Sequence, residues 1–156
     1  MLERLKLRNK NDYNELLEFI DNQRNPDFYF LQDNARYYIT DIGSLKTFIK
    51  SCSCAFVSKY KEDYKGLIFV CKSKVNEQTQ YEVKIVANSN RIAKDLITIL
   101  LWNFNRDLIV WFRNNNKLLY AFKEKGFRFV REQGVQILLN RKAVPYEQKF
   151  YKDKSE

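Results

Sequence analysis

The positions of apolar and polar residues along the chain predict a mixture of strands and helices. Short apolar runs rich in β-branched and aromatic residues indicate strands, and apolar residues three or four positions apart indicate helices. Seven strands are predicted, at residues 2–7, 54–58, 66–71, 81–87, 108–112, 127–131 and 135–140. Four helices are predicted, at residues 12–22, 45–50, 92–104 and between the asparagines at 115–116 and Gly126.

The connections between these elements predict a mixed sheet. Polar turns join the three strands between residues 54 and 87, so these strands should form an antiparallel meander. Twenty residues that contain a predicted helix separate Ala87 from Leu108, and a crossover of this kind makes the two flanking strands parallel. We therefore expect one α/β domain over residues 1–142, followed by a charged C-terminal tail over residues 143–156 without ordered structure.

Local signals predict where the helices begin and end. Asp12 is expected to cap the first helix, and Gly43-Ser44 to open the second. Asn115 or Asn116 is expected to cap the last helix, whose apolar side carries Leu118, Leu119 and Phe122. Gly126 should end that helix in the left-handed conformation.

The stretch from Asn115 to Phe127 resembles the C-terminal half of the GNAT superfamily of N-acetyltransferases. The signature of that family is Asn-x-x-Ala-x-x-x-Tyr-x-x-x-Gly-Phe, and Asn115, Gly126 and Phe127 keep its spacing. Leu118 stands in place of the alanine and Phe122 in place of the tyrosine, which in the family commonly protonates the departing CoA thiolate. The predicted order of elements is also similar to that of GNAT proteins. The resemblance implies a GNAT-like acyl-CoA N-acyltransferase fold and acetyl-CoA-dependent N-acetyl transfer to an acceptor that it does not specify.

The resemblance also implies where acetyl-CoA would bind. The two central parallel strands of the fold separate at one end, and backbone groups of the first strand hold the pantetheine arm. The pyrophosphate lies on the N-terminus of the next helix, where free N–H groups favour anions. The implied cofactor-binding residues are Ile85, Val86, Ala87, Asn90, Arg91, Ile92, Ala93, Lys94, Asn115 and Phe122.

The pyrophosphate loop departs from the family pattern, Gln/Arg-x-x-Gly-x-Gly/Ala. The same frame runs from Asn88 to Ala93, and Arg91 replaces the glycine that lets the backbone approach the phosphates. Two interpretations remain open. Arg91 and Lys94 could bind phosphate through their side chains, or the loop has lost tight CoA binding and Arg91 is a surface residue.

Two residues are candidates for catalysis. Many GNAT enzymes use a glutamate of the central strand as a general base, which by resemblance is Glu82. We expect Glu82 at the end of its strand far from the separation, where it also fits the solvent-facing half of an alternating pattern. Tyr120 offers a phenol, but it lies about 200° around the helix from Phe122 and should point to the surface. The departures at Arg91 and Phe122 together predict slow transfer or a catalytically silent GNAT-like binder.

A net charge of +9, from 28 basic and 19 acidic residues, favours anionic partners such as CoA phosphates, nucleic acid or acidic protein surfaces, although it also serves solubility. An aromatic-rich stretch at residues 28–38 with basic neighbours offers an alternative function, a binding module that stacks nucleic-acid bases. The same aromatic residues fit core packing with ordinary surface charge, which is the interpretation that we favour.

The remaining composition narrows the chemistry. The chain has no histidine, which excludes nucleophile systems and metal sites that depend on histidine. Cys52, Cys54 and Cys71 are expected to be reduced thiols that fill strands, and no metal site is expected. No apolar run approaches the roughly 20 residues of a membrane span and no signal peptide is visible, so we expect a cytoplasmic protein without membrane contact.

Overall fold

The structure, a computed structural model, describes residues 1–22, 39, 41–75, 77–113 and 117–145. The predictions for Asn115, for its capping role and for the aromatic stretch at residues 28–38 fall outside these residues. The elements in chain order are β1 (Leu2–Arg4), α1 (Lys10–Asn22), α2 (Ile42–Lys50), β2 (Cys52–Tyr60), β3 (Asp63–Val75), β4 (Gln78–Ala87), α3 (Asn90–Asn103), β5 (Leu108–Arg113), α4 (Leu119–Glu124), β6 (Arg128–Gln133) and β7 (Gln136–Arg141).

The strands form one sheet in the order β1-β2-β3-β4-β5-β7-β6. The central pair, β4 and β5, is parallel, and the other neighbouring pairs are antiparallel. The predicted meander, the crossover through α3 and the C-terminal hairpin are therefore confirmed. Gly134 in that hairpin has a φ of 61°, and Gly126 after α4 has a φ of 92°, which is the left-handed stop expected there.

Alternation along β4 divides the interior into two apolar layers. Val83, Ile85 and Ala87 belong to a layer with α3 and α4, whereas Val86 belongs to a layer with α1 and α2. The α3 layer requires a glycine on β3. A Cβ at Gly66 would lie 2.7 Å from Ile92 Cγ2, so the start of α3 rests directly on this strand.

Two helices begin earlier than the capping signals predict. Asn9, and not Asp12, caps α1, because Asn9 Oδ1 accepts a hydrogen bond from Asp12 N at 3.0 Å. Asp12 occupies the first turn and accepts a bond from Arg8 N. Asp41 caps α2 through a capping box with Ser44, so Gly43-Ser44 lies inside the helix.

The last helix begins later than predicted. Leu118 is the N-cap of α4 and makes no side-chain cap hydrogen bond, so the helix begins after the asparagines that were expected to cap it. The physical reason is the packing of this segment. Leu118 is 4% exposed, and its apolar contacts in the α3 layer stabilise the first turn in place of a polar cap.

The chain after β7 continues along the surface of the domain. Asn105 exchanges two hydrogen bonds with the backbone of Val144, at 2.7 and 2.9 Å. Asp107 Oδ1 accepts a bond from Ala143 N at 2.8 Å. The packed part of the chain therefore extends past the predicted boundary at residue 142, and the tail remains a prediction for residues 146–156. Among the helices that the structure describes, none combines the length and apolar character that crossing a bilayer requires.

Candidate functional site

The most distinctive feature of the sheet is the separation of its two central strands. β4 and β5 pair at two positions, Tyr81 with Leu108 and Glu82 with Ile109. Beyond them β4 remains paired with β3 as far as Ala87, and β5 remains paired with β7. Residues 83–87 therefore have no strand partner on their β5 side within the described part of the chain. We call this opening the β4–β5 gap.

The register shows which peptide groups face the gap. Asn88 N donates a hydrogen bond to Lys65 O at 3.2 Å. These two residues flank the pair formed by Gly66 and Ala87, so that pair is a non-hydrogen-bonded one. The N–H and C=O groups of Ala87 therefore point away from β3 and into the gap. By alternation, the peptide groups of Val83 and Ile85 also face it, whereas those of Val86 bond to β3. Of the three predicted backbone contacts, Ile85 and Ala87 fit this geometry and Val86 does not.

The N-terminus of α3 follows the open end of the gap closely, because only Asn88 and Ser89 connect it to β4. Ser89 caps the helix. Its Oγ accepts a bond from Ile92 N at 3.3 Å, and its carbonyl accepts one from Ala93 N at 3.0 Å. The N–H groups of Asn90 and Arg91 precede the first helical hydrogen bond, as at any helix start. The buried oxygen Asn90 Oδ1 has no hydrogen-bond partner among the described residues.

The two basic side chains of this turn differ in their surroundings. Lys94 Nζ forms an ion pair with Glu124 Oε2 of α4 at 2.8 Å. Arg91 is exposed. Lys94 therefore already has an anionic partner within the protein, and Arg91 is the basic side chain at the start of α3 that remains available to an anion in solution.

Glu82 does not lie where the pattern predicts. It belongs to the last residue pair before β4 and β5 separate, so it stands beside the gap and not at the far end of the strand. Its side chain is 18% exposed and forms an ion pair with Lys84, whose side chain is 7% exposed. Glu82 is therefore only partly exposed to solvent, and its carboxylate has a basic partner on the same strand face. The sequence pattern does not reveal the register between two strands joined by a crossover, and the site of separation depends on that register.

Lys84 is the residue near the gap that the sequence reasoning missed. A lysine between Val83 and Ile85, two positions after a glutamate, shares a strand face with that glutamate. Burial of an ammonium group is costly unless a counter-charge lies beside it. The Glu-x-Lys spacing within an otherwise apolar strand was the available signal.

The two aromatic candidates on α4 lie on opposite sides of the helix, as expected. Tyr120 is 73% exposed. Phe122 is fully buried between Phe112 and Phe127, with ring centroids 5.0 and 4.9 Å away in edge-to-face geometry. The position that carries the tyrosine in the family signature is therefore an apolar core position here.

The site residues thus fall into two sets. The end of β4 leads directly into the first turn of α3, and Glu82 lies at the other end of the gap, where β4 and β5 still pair. The structure does not bring Tyr120 to them, since that side chain is on the outer surface of α4. Two cavities lie elsewhere, one of about 300 Å³ near Arg4 and Cys52, and one of about 450 Å³ between α1 and the β2–β3 turn. No group of His, Cys, Asp and Glu side chains with the makings of a metal site occurs among the described residues.

Comparison by sequence finds no relatives. No protein-family model matches the chain, and no curated protein matches it.

Comparison by structure does find similar proteins. An N-acetyltransferase from Staphylococcus aureus Mu50 has a TM-score of 0.65 at 16% identity, with 91% of this chain and 97% of that chain covered. A ribosomal-protein-alanine N-acetyltransferase from Brucella melitensis has a TM-score of 0.66 at 10% identity, covering 90% and 98%. An aminoglycoside 6'-acetyltransferase type Ii has a TM-score of 0.69 at 10% identity, covering 93% and 98%. Together with the separated parallel strands, these matches show that the chain has the fold of the GNAT superfamily of N-acetyltransferases.

Proposed function

We propose that the protein is an acetyl-CoA-dependent N-acetyltransferase that binds its cofactor in the β4–β5 gap. The observation that carries the proposal is the early separation of the parallel strands, which leaves peptide groups of Val83, Ile85 and Ala87 without strand partners. Unpaired backbone groups need hydrogen-bond partners, and an extended ligand with amide groups of its own can supply them.

The residues around the gap fit acetyl-CoA in three ways. The pantetheine arm carries amides that match the exposed edge of β4. The start of α3 offers free N–H groups and the positive end of the helix dipole to the pyrophosphate. Asn90 Oδ1, a buried acceptor that lacks a donor, is available to an N–H group of the ligand. Of the two interpretations of the loop, we favour phosphate contact by Arg91 together with these amides, while Lys94 remains with Glu124.

Bound acetyl-CoA supplies an acetyl group already activated as a thioester. The part that falls to this chain is to position the acceptor amine and to remove its proton. Glu82 is the proposed proton acceptor, directly or through a water molecule, because it lies where the gap opens. Lys84 forms an ion pair with this carboxylate and lies beside it on the same face of β4.

The described residues offer no obvious donor for the thiolate that leaves. Phe122 is apolar and enclosed by other aromatic rings. Direct attack of an amine on a thioester depends mainly on positioning and on stabilisation of the developing oxyanion, so transfer without this acid is feasible but slow. The proposed acceptor is an amine.

Binding of acetyl-CoA is the decisive measurement. Calorimetry and thermal unfolding with acetyl-CoA should give a measurable heat and a raised melting temperature. Arg91→Glu should weaken binding about tenfold, because it reverses one charge beside the phosphates. Arg106→Glu, the same change at an exposed position beyond the other end of α3, is the matched control and should bind normally. No heat and no thermal shift at millimolar acetyl-CoA would overturn the proposal.

A further inference from the structure

We infer that Cys52 on β2 and Cys71 on β3 are a redox-modification site, at which a reversible disulfide forms between the two strands. The two sulfur atoms are 3.7 Å apart, and the residues are directly opposite each other in the antiparallel register. A disulfide bond is about 2.05 Å long, so the sulfur atoms must approach by roughly 1.7 Å. Rotation about the side-chain torsions can produce a movement of this size.

The backbone geometry at this position suits a cross-strand disulfide. Lys72 N donates to Ser51 O at 3.4 Å, which marks Cys52 and Cys71 as a non-hydrogen-bonded pair. In such pairs the Cα atoms are about 4.5 Å apart, inside the range of about 4.4–6.8 Å that disulfides span. The strands therefore need not move. A register irregularity directly after Cys52 adds local freedom on the β2 side.

Access to the pair is asymmetric. Cys52 is partly exposed and lines the cavity of about 300 Å³, whereas Cys71 is 6% exposed. A small oxidant therefore meets Cys52 first, and Cys71 is placed to resolve the product. The hydrogen bond with Cys71, together with burial, raises the pKa of Cys52, so the reaction should be faster in alkaline solution.

The reaction with a small-molecule disulfide is balanced as follows. The Cys52 thiolate attacks one sulfur of the small disulfide, whose other half leaves as a thiolate and takes up a proton. The Cys71 thiolate then attacks the Cys52 sulfur of the mixed disulfide and releases the second half as a thiol. The two cysteine sulfurs lose two electrons, and the small disulfide gains them.

Cys54 lines the same cavity as Cys52, but it differs from Cys52 in its cross-strand partner and in the layer against which it packs. Beyond the irregularity Cys54 is opposite Val70, and it packs against the α3 layer, whereas Cys52 packs against the α1 and α2 layer. Cys54 should therefore remain a thiol, which makes it an internal control.

The test is oxidation of the folded, full-length protein with oxidised glutathione at about pH 8.5. After unfolding, free thiols are counted with N-ethylmaleimide by intact mass. The chain contains three cysteines, and we expect one maleimide adduct after oxidation and three after reduction with dithiothreitol. Peptide mapping should show a Cys52–Cys71 link within one chain.

Two variants sharpen the result. Cys54→Ser should still lose two thiols on oxidation, and Cys71→Ser should form no intramolecular link. Three free thiols in the oxidised wild type, a link from Cys52 to Cys54, a bond between two chains, or glutathione that persists on Cys52 would each overturn the inference.

Discussion

Lys84 and Glu82 form an ion pair on one face of β4, at the last position where β4 still pairs with β5. The ammonium group is almost fully buried, and the carboxylate is partly accessible. The pair therefore places an ionised carboxylate beside the gap and at the same time contributes to folding. These two roles can be separated by mutation.

Replacement of Glu82 by Gln should lower acetyl transfer by about 10²–10⁴-fold, because it removes the proposed proton acceptor. It should also destabilise the fold by about 3 kcal/mol, since a buried ammonium loses its adjacent carboxylate charge. Steady-state kinetics and urea unfolding measure the two effects, and acetyl-CoA affinity should be unchanged.

The double variant Glu82→Gln with Lys84→Met tells the roles apart. Removal of both charges should recover most of the stability and none of the activity. Recovery of activity together with stability would mean that Glu82 serves the fold and not the proton transfer.

Introduction of a hydroxyl group at Phe122 should raise the transfer rate. Phe122→Tyr restores the acid that the family signature contains, and we expect at least a tenfold gain in turnover from the ~10²–10⁴-fold that a positioned acid provides. The fully buried site should lose about 1 kcal/mol of stability, since a polar group enters an aromatic cluster.

The control for this change is Phe129→Tyr, the same substitution at a side chain that is 55% exposed. It should alter neither the turnover nor the stability.

Combination of Phe122→Tyr with Arg91→Gly tests both departures from the family pattern at once. If wild-type turnover is already fast and Phe122→Tyr leaves it unchanged, the missing acid does not limit the reaction.

A side chain at Gly66 should disturb the start of α3. The Cβ of Gly66→Ala would lie 2.7 Å from Ile92 Cγ2 and 2.8 Å from Leu96 Cδ1, and it would also meet Val86 O at 3.1 Å. We expect a loss of about 1–3 kcal/mol of stability and weaker acetyl-CoA binding, because the substitution displaces the first turn of α3, where we propose that the pyrophosphate binds. Chemical unfolding and calorimetry measure these effects.

Gly43→Ala is the matched comparison. Gly43 lies in α2, where a Cβ approaches Asp41 Oδ1 at 3.4 Å, an ordinary contact. Stability should be unchanged or raised by up to about 1 kcal/mol, since alanine favours helices. If Gly66→Ala and Gly43→Ala changed the stability and the acetyl-CoA affinity equally, contact between α3 and β3 would not be the cause of the loss.

Stability should fall in alkaline solution in part through Tyr64. Burial raises the pKa of Tyr64 from 10.0 to about 12. The folded protein therefore retains a proton that the unfolded chain loses, so this contribution is complete below pH 10 and decreases as the pH rises towards 12. Urea unfolding of the wild type between pH 8 and 11 should show the decrease.

Tyr64→Phe should have a shallower alkaline decrease, because it removes the phenol and keeps a ring for the contacts with Phe19 and Lys59. An identical pH profile for the two proteins would contradict the assignment. Burial also raises the pKa of Cys54, to about 11. This thiol therefore contributes in the same direction to the alkaline loss of stability that remains in Tyr64→Phe.

The apolar pattern was sufficient for the architecture. Strand propensity and the spacing between Ala87 and Leu108 predicted the parallel crossover, and the glycine at 126 predicted the end of α4. Helix starts were less predictable. Several polar residues near each helix compete for the capping position, and backbone geometry decides between candidates such as Asn9 and Asp12.

The site was predictable in outline only. The resemblance to GNAT proteins pointed to the end of β4 and the start of α3. The position of the gap, however, depends on the register of β4 and β5, which are distant in sequence. The β4–β5 register places Glu82 beside the gap, and the β3–β4 register turns the peptide groups of Val86 towards β3. The role of Lys84 depends on its burial, for which the Glu-x-Lys spacing within an apolar strand was the available signal.

Cys71 is the cross-strand neighbour of Glu82 in the pairing of β3 with β4. A bond from Cys71 to Cys52 would thus form one strand away from the carboxylate proposed to accept the proton of the amine. If both proposals hold, oxidation need not block cofactor binding in order to change the reaction, because the new bond restrains β3 directly beside Glu82. The rate of acetylation would then report the thiol balance of the protein's surroundings as well as its supply of acetyl groups.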